Sequence, residues 1–156
     1  MMIASPSRTR CLQTAAAAST LGVVTALIAA VALAPGAGAK TPLAIGQPAP
    51  EFIVQDTAGK TVKLADLKGK TVVLEWSNHE CPYVVKHYAS GNMQAIQKDA
   101  TKDGVVWLTI ISSAPGEQGH VAPRKADELT KSRGAAPTAV LLDPDGKVAR
   151  LYEARV

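Results

Sequence analysis

Cysteine is nearly absent from this chain: Cys11 and Cys81 are the only two in 156 residues. That excludes the disulfide framework by which small secreted domains are usually held together. Aromatic residues are few as well, at 4%. No basic run occurs and no basic residues interleave with aromatics, so nothing points to a nucleic-acid partner. Acidic residues are missing altogether before Glu51. That absence goes with Arg8 and Arg10 to make a positive N-terminal region, followed by the apolar run Ala15 to Ala34. Pro35-Gly36 breaks the run, and Ala37-Gly38-Ala39 supplies a small-x-small cleavage site before Lys40.

Residues 1–39 are therefore predicted to be a secretory signal peptide, sending residues 40–156 to a periplasm or to the cell exterior. The alternative is an uncleaved membrane anchor, since the run is nearly long enough to span a bilayer. Cys11 precedes the apolar run and leaves with the leader. So do Arg8 and Arg10, which brings the 17 basic side chains closer to the 13 acidic ones. The pI of 9.2 thus overstates the basicity of the exported part. Residues 40–156 suffice for one domain with a core of its own, and Cys81 is the single thiol in it. Such a thiol is either a buried hydrophobe or a reactive group.

Lys40 to Pro50, with prolines at 42, 48 and 50, reads as extended chain. Phe52 to Gln55 and Thr61 to Leu64 read as a hairpin around Ala58-Gly59, with a turn at Asp66 to Gly69. Thr71 to Trp76 (TVVLEW) is a β-branched run suited to a buried central strand, and Val105 to Ile111 (VVWLTII) is a second. Between them a helix begins at Cys81-Pro82 and kinks or restarts at Gly91-Asn92. Met93, Ile96, Gln97 and Ala100 carry it on until Asp103-Gly104. Strand, helix, strand with both strands apolar predicts a parallel βαβ unit. Ser112 to His120 is a loop, Pro123 to Arg133 a helix closed by Gly134, and Ala139 to Leu142 a third apolar strand. Asp143 to Gly146 is a tight turn, and Val148 to Tyr152 is either a helical turn or another strand.

The combination resembles the thioredoxin-like superfamily, and within it the redoxins of the alkyl hydroperoxide reductase and thiol-specific antioxidant type. The residues that carry it are Ile45-Gly46-x-Pro48-Ala49-Pro50-x-Phe52, Asp56-x-x-Gly59 and Leu64-x-x-Leu67-Lys68-Gly69-Lys70. Val72 to Trp76, Cys81-Pro82 and Leu142 to Lys147 complete it, so the likeness covers residues 44 to 152. It implies an α/β thioredoxin-like fold: a central mixed sheet flanked by helices and preceded by an N-terminal β-hairpin. It also implies a cis-proline loop, a further hairpin and a last helix after residue 156, which would make the chain a truncated form. Without them the edge of Thr71 to Trp76 is expected to lie open, and a homodimer through that edge is one consequence.

Two departures from the family pattern bear on the chemistry. Val84 stands where thioredoxins have the second cysteine of Cys-x-x-Cys, and it is expected to fill that partly buried niche. Asn78 stands where peroxiredoxins have a Thr or Ser three residues before the reactive cysteine; it offers a hydrogen bond but no hydroxyl.

Cys81 is the leading catalytic candidate, because unpaired N–H groups and the dipole at a helix N-terminus favour a thiolate. Pro82 fixes it at the cap. Glu75, six residues earlier, matches the buried acid of thioredoxins, which accepts protons beneath the active cysteine; the alternative is an exposed strand acid. His79, His87 and His120 are all the histidines present. They are candidates to support the thiol or, as a rival reading, to bind copper or zinc with Cys81 in a metallochaperone. No recognised metal spacing exists, so no metal ligand is assigned. Glu80 and Lys86 are expected to be solvated, Trp76 and Trp107 to be core, and Ser112 and Ser113 to line the site.

The resemblance thus implies a thiol oxidoreductase without a dissociable cofactor. Its substrate would be a peroxide or a disulfide, and its resolving partner an external thiol or a thioredoxin-type reductant. An inactive fragment is a third alternative.

Overall fold

The computed structural model describes residues 43–155. The leader, its cleavage site and Cys11 lie outside the described residues. Two short strands come first, β1 (Ile53–Asp56) and β2 (Thr61–Lys63), paired antiparallel with Val54 opposite Val62. Their turn is tied by Asp56, whose Oδ1 accepts from the N–H groups of Ala58 at 2.9 Å and Lys60 at 2.8 Å. A single 3₁₀ turn, Leu64–Leu67, leads to β3 (Val72–Trp76). Then follow α1 (Pro82–Ala89), α2 (Asn92–Lys102), β4 (Val106–Ile111), α3 (Pro123–Ser132), β5 (Ala139–Leu142) and α4 (Lys147–Leu151).

The five strands form one mixed sheet in the order β2-β1-β5-β4-β3. Strands β3, β4 and β5 run parallel, and β1 is antiparallel to both β5 and β2. The expected βαβ unit is therefore present, with α1 and α2 as the crossover between β3 and β4. Gly91 separates these two helices in a left-handed conformation (φ 74°), where a side chain would be strained. The sequence left the segment after Gly146 open between helix and strand; it is the helix α4.

The apolar run by itself suggests a central strand for Thr71 to Trp76, whereas the family likeness gives it an open edge; among the described residues β3 is an edge strand, paired only with β4. All five of its residues are half-buried, whereas the first five of β4's six are buried. A continuous apolar run reports cover on both faces of a strand and says nothing about its flanks, so it cannot tell an edge from a centre.

Side chains alternate across the sheet as a pleated strand requires. Val106, Leu108 and Ile110 join Phe52, Leu141 and Val148 in the main core, with Val72, Leu74 and Trp76 of β3 packed against it. Each fully buried side chain here, such as Ile110 or Leu141, contributes about 1.5–3 kcal/mol. On the other face Val140, Val121 and Ala126 make a smaller cluster against α3. The odd positions of the same strands, Glu75, Trp107 and Thr109, take part there in a polar network with α1 and α2.

Candidate functional site

The chain leaves β3 through Ser77, whose N–H donates to the Ile110 carbonyl at 3.0 Å, and enters a loop that ends at Cys81. Asn78 shapes this loop. Its Oδ1 accepts from the Glu80 N–H at 2.9 Å, its carbonyl accepts from the Cys81 N–H at 3.1 Å, and its Nδ2 donates to the Gln118 carbonyl at 3.4 Å. Glu80 reaches the same neighbouring loop: its Oε2 accepts from the Gly119 N–H at 2.6 Å. Glu80 is exposed, as the sequence suggests, and through this bond it also clamps the loops after β3 and β4. Gly119 is required at that point. It is buried with φ 83°, and a Cβ on it would overlap the Asn78 side-chain amide.

Cys81 is half-buried and is the free cysteine of the described residues. It occupies the N-cap of α1 in extended conformation (φ −68°, ψ 124°), with Pro82 beginning the helix. Its carbonyl accepts the Val85 N–H at 2.9 Å, and among the described residues no side chain caps the helix. The early N–H groups of α1 therefore point past Cys81 without a side-chain acceptor, an arrangement that stabilises negative charge. Val84 is half-buried behind it.

Glu75 lies on the face of β3 toward α1 and α2, and it is half-buried. Tyr88 donates its hydroxyl to Oε1 at 3.1 Å. Oε2 accepts three more hydrogen bonds: from Gln97 Nε2 at 3.0 Å, Trp107 Nε1 at 2.8 Å and Thr109 Oγ1 at 3.0 Å. Gln97, which is fully buried, also donates to the Tyr88 hydroxyl at 3.0 Å, and its Oε1 accepts the Ala136 N–H at 2.8 Å. Burial, and after it the Glu75 charge, pushes the Tyr88 phenol up to about 12, so it remains a donor at neutral pH. Every hydrogen bond found for the Glu75 carboxylate goes to this network and none to Cys81. Through Tyr88 the carboxylate holds the second turn of α1.

The three histidines are dispersed. His79 is half-buried just before Cys81, His87 is exposed in the last turn of α1, and His120 Nδ1 sits 3.0 Å from the Ser113 carbonyl. Among the described residues no three His, Cys, Asp or Glu side chains converge on a metal-sized site. Ser112 is also committed elsewhere: it donates to Asp143 at 2.7 Å and accepts from Trp76 Nε1 at 3.2 Å. Asp143 in turn accepts the Val148 and Ala149 N–H groups and so caps α4.

Sequence reasoning missed Tyr88, Gln97, Gly119 and Arg133 as parts of this region. Tyr88 and Gln97 carried a signal, since both fall on the helical spacing of this segment.

Comparison with known proteins bears on the family and the fold. The thiol-disulfide oxidoreductase ResA of Bacillus thuringiensis (strain Al Hakam) is 33% identical over 121 residues, covering 70% of this chain and 69% of that protein. The exposed lipoprotein thioredoxin Etrx1 of Streptococcus pneumoniae strain TIGR4 superposes with a TM-score of 0.51 at 29% identity, over 68% of this chain and 75% of that one. A conserved protein of Geobacillus kaustophilus shares the fold with a TM-score of 0.60 at 24% identity, over 69% of this chain. This chain spans only 57% of that structure. The AhpC/TSA family pattern matches residues 45–156, from the segment before the first hairpin, through Cys81 and the Glu75 network, to α4: the chain belongs to the AhpC/TSA family.

Proposed function

We propose that the chain is an exported thiol–disulfide oxidoreductase of the redoxin type that works through Cys81 alone. The observation that carries this is the position of Cys81. It is a free thiol at the uncapped N-terminus of α1, beyond the C-terminal end of a parallel strand, which is where open α/β sheets bind their ligands. The name of the Bacillus relative, thiol-disulfide oxidoreductase, supports the same chemistry.

In the proposed reaction the Cys81 thiolate attacks one sulfur of a disulfide, forming a mixed disulfide and releasing the other sulfur as a thiolate that takes up a proton. An external thiol then attacks the mixed disulfide, frees Cys81 and departs as a new disulfide. The external thiol is required because Val84 replaces a resolving cysteine at the third position after Cys81. Disulfide is favoured over peroxide because both ends of the Asn78 amide are engaged in holding the loop. Glu75 serves in this scheme as a positioning residue, fixing α1 through Tyr88. Export rests on the leader in residues 1–39, and the exposed lipoprotein among the structural relatives accords with it.

The test is a rate profile. Cys81 should be alkylated faster than free glutathione below pH 7, and it should form a mixed disulfide detectable by mass with a small disulfide substrate. A profile no faster than glutathione at any pH, with no adduct, would leave Cys81 an ordinary cysteine. Rapid conversion to a sulfenic acid by peroxide, without disulfide exchange, would instead select the peroxidase reaction.

A further inference from the structure

The loop between β4 and α3 is built from two consecutive turns. The Glu117 N–H donates to the Ala114 carbonyl at 3.0 Å, and the His120 N–H donates to the Glu117 carbonyl at 3.1 Å. Each turn has a left-handed glycine at its third position, Gly116 (φ 88°) and Gly119 (φ 83°), where a type II turn requires one. Pro115 supplies the fixed φ that suits the second position of the first turn. The entry to the loop is pinned by the Ser112 side chain, which donates to Asp143 at 2.7 Å. Its exit is pinned by Val121, buried with Ala126 and Val140.

One side chain closes the base from which both turns project. His120 Nδ1 lies 3.0 Å from the Ser113 carbonyl. A carbonyl can only accept, so Nδ1 carries the proton and donates. Among the described residues no other hydrogen bond joins residues 112–114 to residues 119–122. On its far side the loop meets the chain that carries the thiol. The Gln118 carbonyl accepts from Asn78 Nδ2 at 3.4 Å, and the Gly119 N–H donates to Glu80 Oε2 at 2.6 Å. Asn78 in turn holds Cys81, whose N–H its carbonyl accepts at 3.1 Å. An unbroken series of bonds therefore runs from the imidazole, through the second turn, to the residue that caps α1.

We propose that His120 is a positioning residue for Cys81. By tying Ser113 to the foot of the second turn, its imidazole holds Gln118 and Gly119 where they grip Asn78 and Glu80. It acts through the loop and takes no part in the proton transfers of the thiol. Without the tie the loop is free to swing, and the hold on Asn78 that keeps Cys81 at the cap of α1 loosens with it. The proposal rests on the reading of Cys81 as the reacting thiol. It gives a place to a histidine that the sequence leaves between thiol support and metal binding.

The test uses where each replacement puts its donor. The side-chain nitrogen of Asn falls where Nδ1 of histidine lies, and that of Gln falls where Nε2 lies. His120→Asn should therefore keep the tie, whereas His120→Gln and His120→Ala should lose it. The ring is exposed, so none of these variants disturbs the core. Amide hydrogen exchange of Gly119 and Cys81 in the full chain reads the opening of the loop. It should accelerate about three- to tenfold in His120→Gln and His120→Ala, the effect of one lost hydrogen bond, and stay within about twofold in His120→Asn. Alkylation of Cys81, and its mixed-disulfide formation with hydroxyethyl disulfide, should follow the same order. Both rates should fall about twofold or more in the first two variants and recover in His120→Asn. Rescue by His120→Gln and not by His120→Asn would mean that Nε2 acts, as a proton shuttle or a metal ligand does, and would overturn the proposal. Exchange or alkylation rates unchanged across the series would overturn it as well. A native Cys81 inert toward disulfides, with amide exchange in the expected order, would instead refute the thiol–disulfide reading and leave the loop tie standing.

Discussion

Replacing Glu75 tests whether the polar network under α1 is a structural joint or a proton path. In Glu75→Leu the side-chain volume is nearly kept, but four donors lose their acceptor. The Thr109 hydroxyl can rotate, and Gln97 Nε2 keeps the Tyr88 hydroxyl as an acceptor, 3.0 Å away. The Tyr88 hydroxyl and Trp107 Nε1 each lose the acceptor of their donated hydrogen bond and have no other among the described residues. An orphaned buried donor costs about 1–3 kcal/mol, so Glu75→Leu should lose roughly 2–5 kcal/mol, a large part of the stability of a small domain. Glu75→Gln keeps one oxygen, which can still serve the three donors now on Oε2. It should lose the charge assistance of those bonds and the acceptor of the Tyr88 hydroxyl, about 1–3 kcal/mol. Urea denaturation followed by tryptophan fluorescence reads both values. If the joint is the whole role, the pH profile of Cys81 alkylation in Glu75→Gln keeps its shape. A Glu75→Leu loss below about 1 kcal/mol would refute the joint, and a displaced profile in a fully stable Glu75→Gln would restore Glu75 as a proton acceptor.

Three further outcomes follow from the geometry. Gly119→Ala combines a left-handed backbone with overlap on Asn78, and should cost about 2–5 kcal/mol and disturb Cys81 alkylation. Gly116→Ala, equally left-handed (φ 88°) but in open space, should cost only about 1–2 kcal/mol, and equal losses would contradict the clamp. The Tyr88 phenol binds its proton more tightly in the folded state than in the unfolded one. Its contribution to stability is therefore complete below pH 10 and is lost as pH rises toward about 12. Ultraviolet titration should show a late-ionising tyrosine that Tyr88→Phe removes; its persistence in that variant would assign it to Tyr152, which burial also raises. Mass spectrometry of the exported protein should find Lys40 at the N-terminus, and recovery of the intact leader in the membrane fraction would contradict cleavage.

Local sequence signals determined a good deal. Apolar runs with a period of two or with no polar break fixed β1 and β3 to β5. Cys81-Pro82 marked the start of α1, Gly91 its restart, and Asp143 to Gly146 the turn whose aspartate caps α4. Those features depend on residues a few positions apart, so they can be read along the chain. The position of Cys81 at a helix N-terminus belongs with them. Tertiary structure alone decided the rest. It set the strand order β2-β1-β5-β4-β3, because order depends on which flanks meet and not on which faces are apolar. It gave the exposed Glu80 a further part as a clamp, by bringing Gly119 to it from a loop 39 residues away. It surrounded Glu75 with Tyr88, Gln97, Trp107 and Thr109, drawn from two helices and a neighbouring strand, so the role of that carboxylate was set by partners distant in sequence. Arg133 shows the limit most clearly. On the chain it is an unremarked helix-end arginine, and only the fold lays its guanidinium over the Tyr88 ring, 4.1 Å from the centroid.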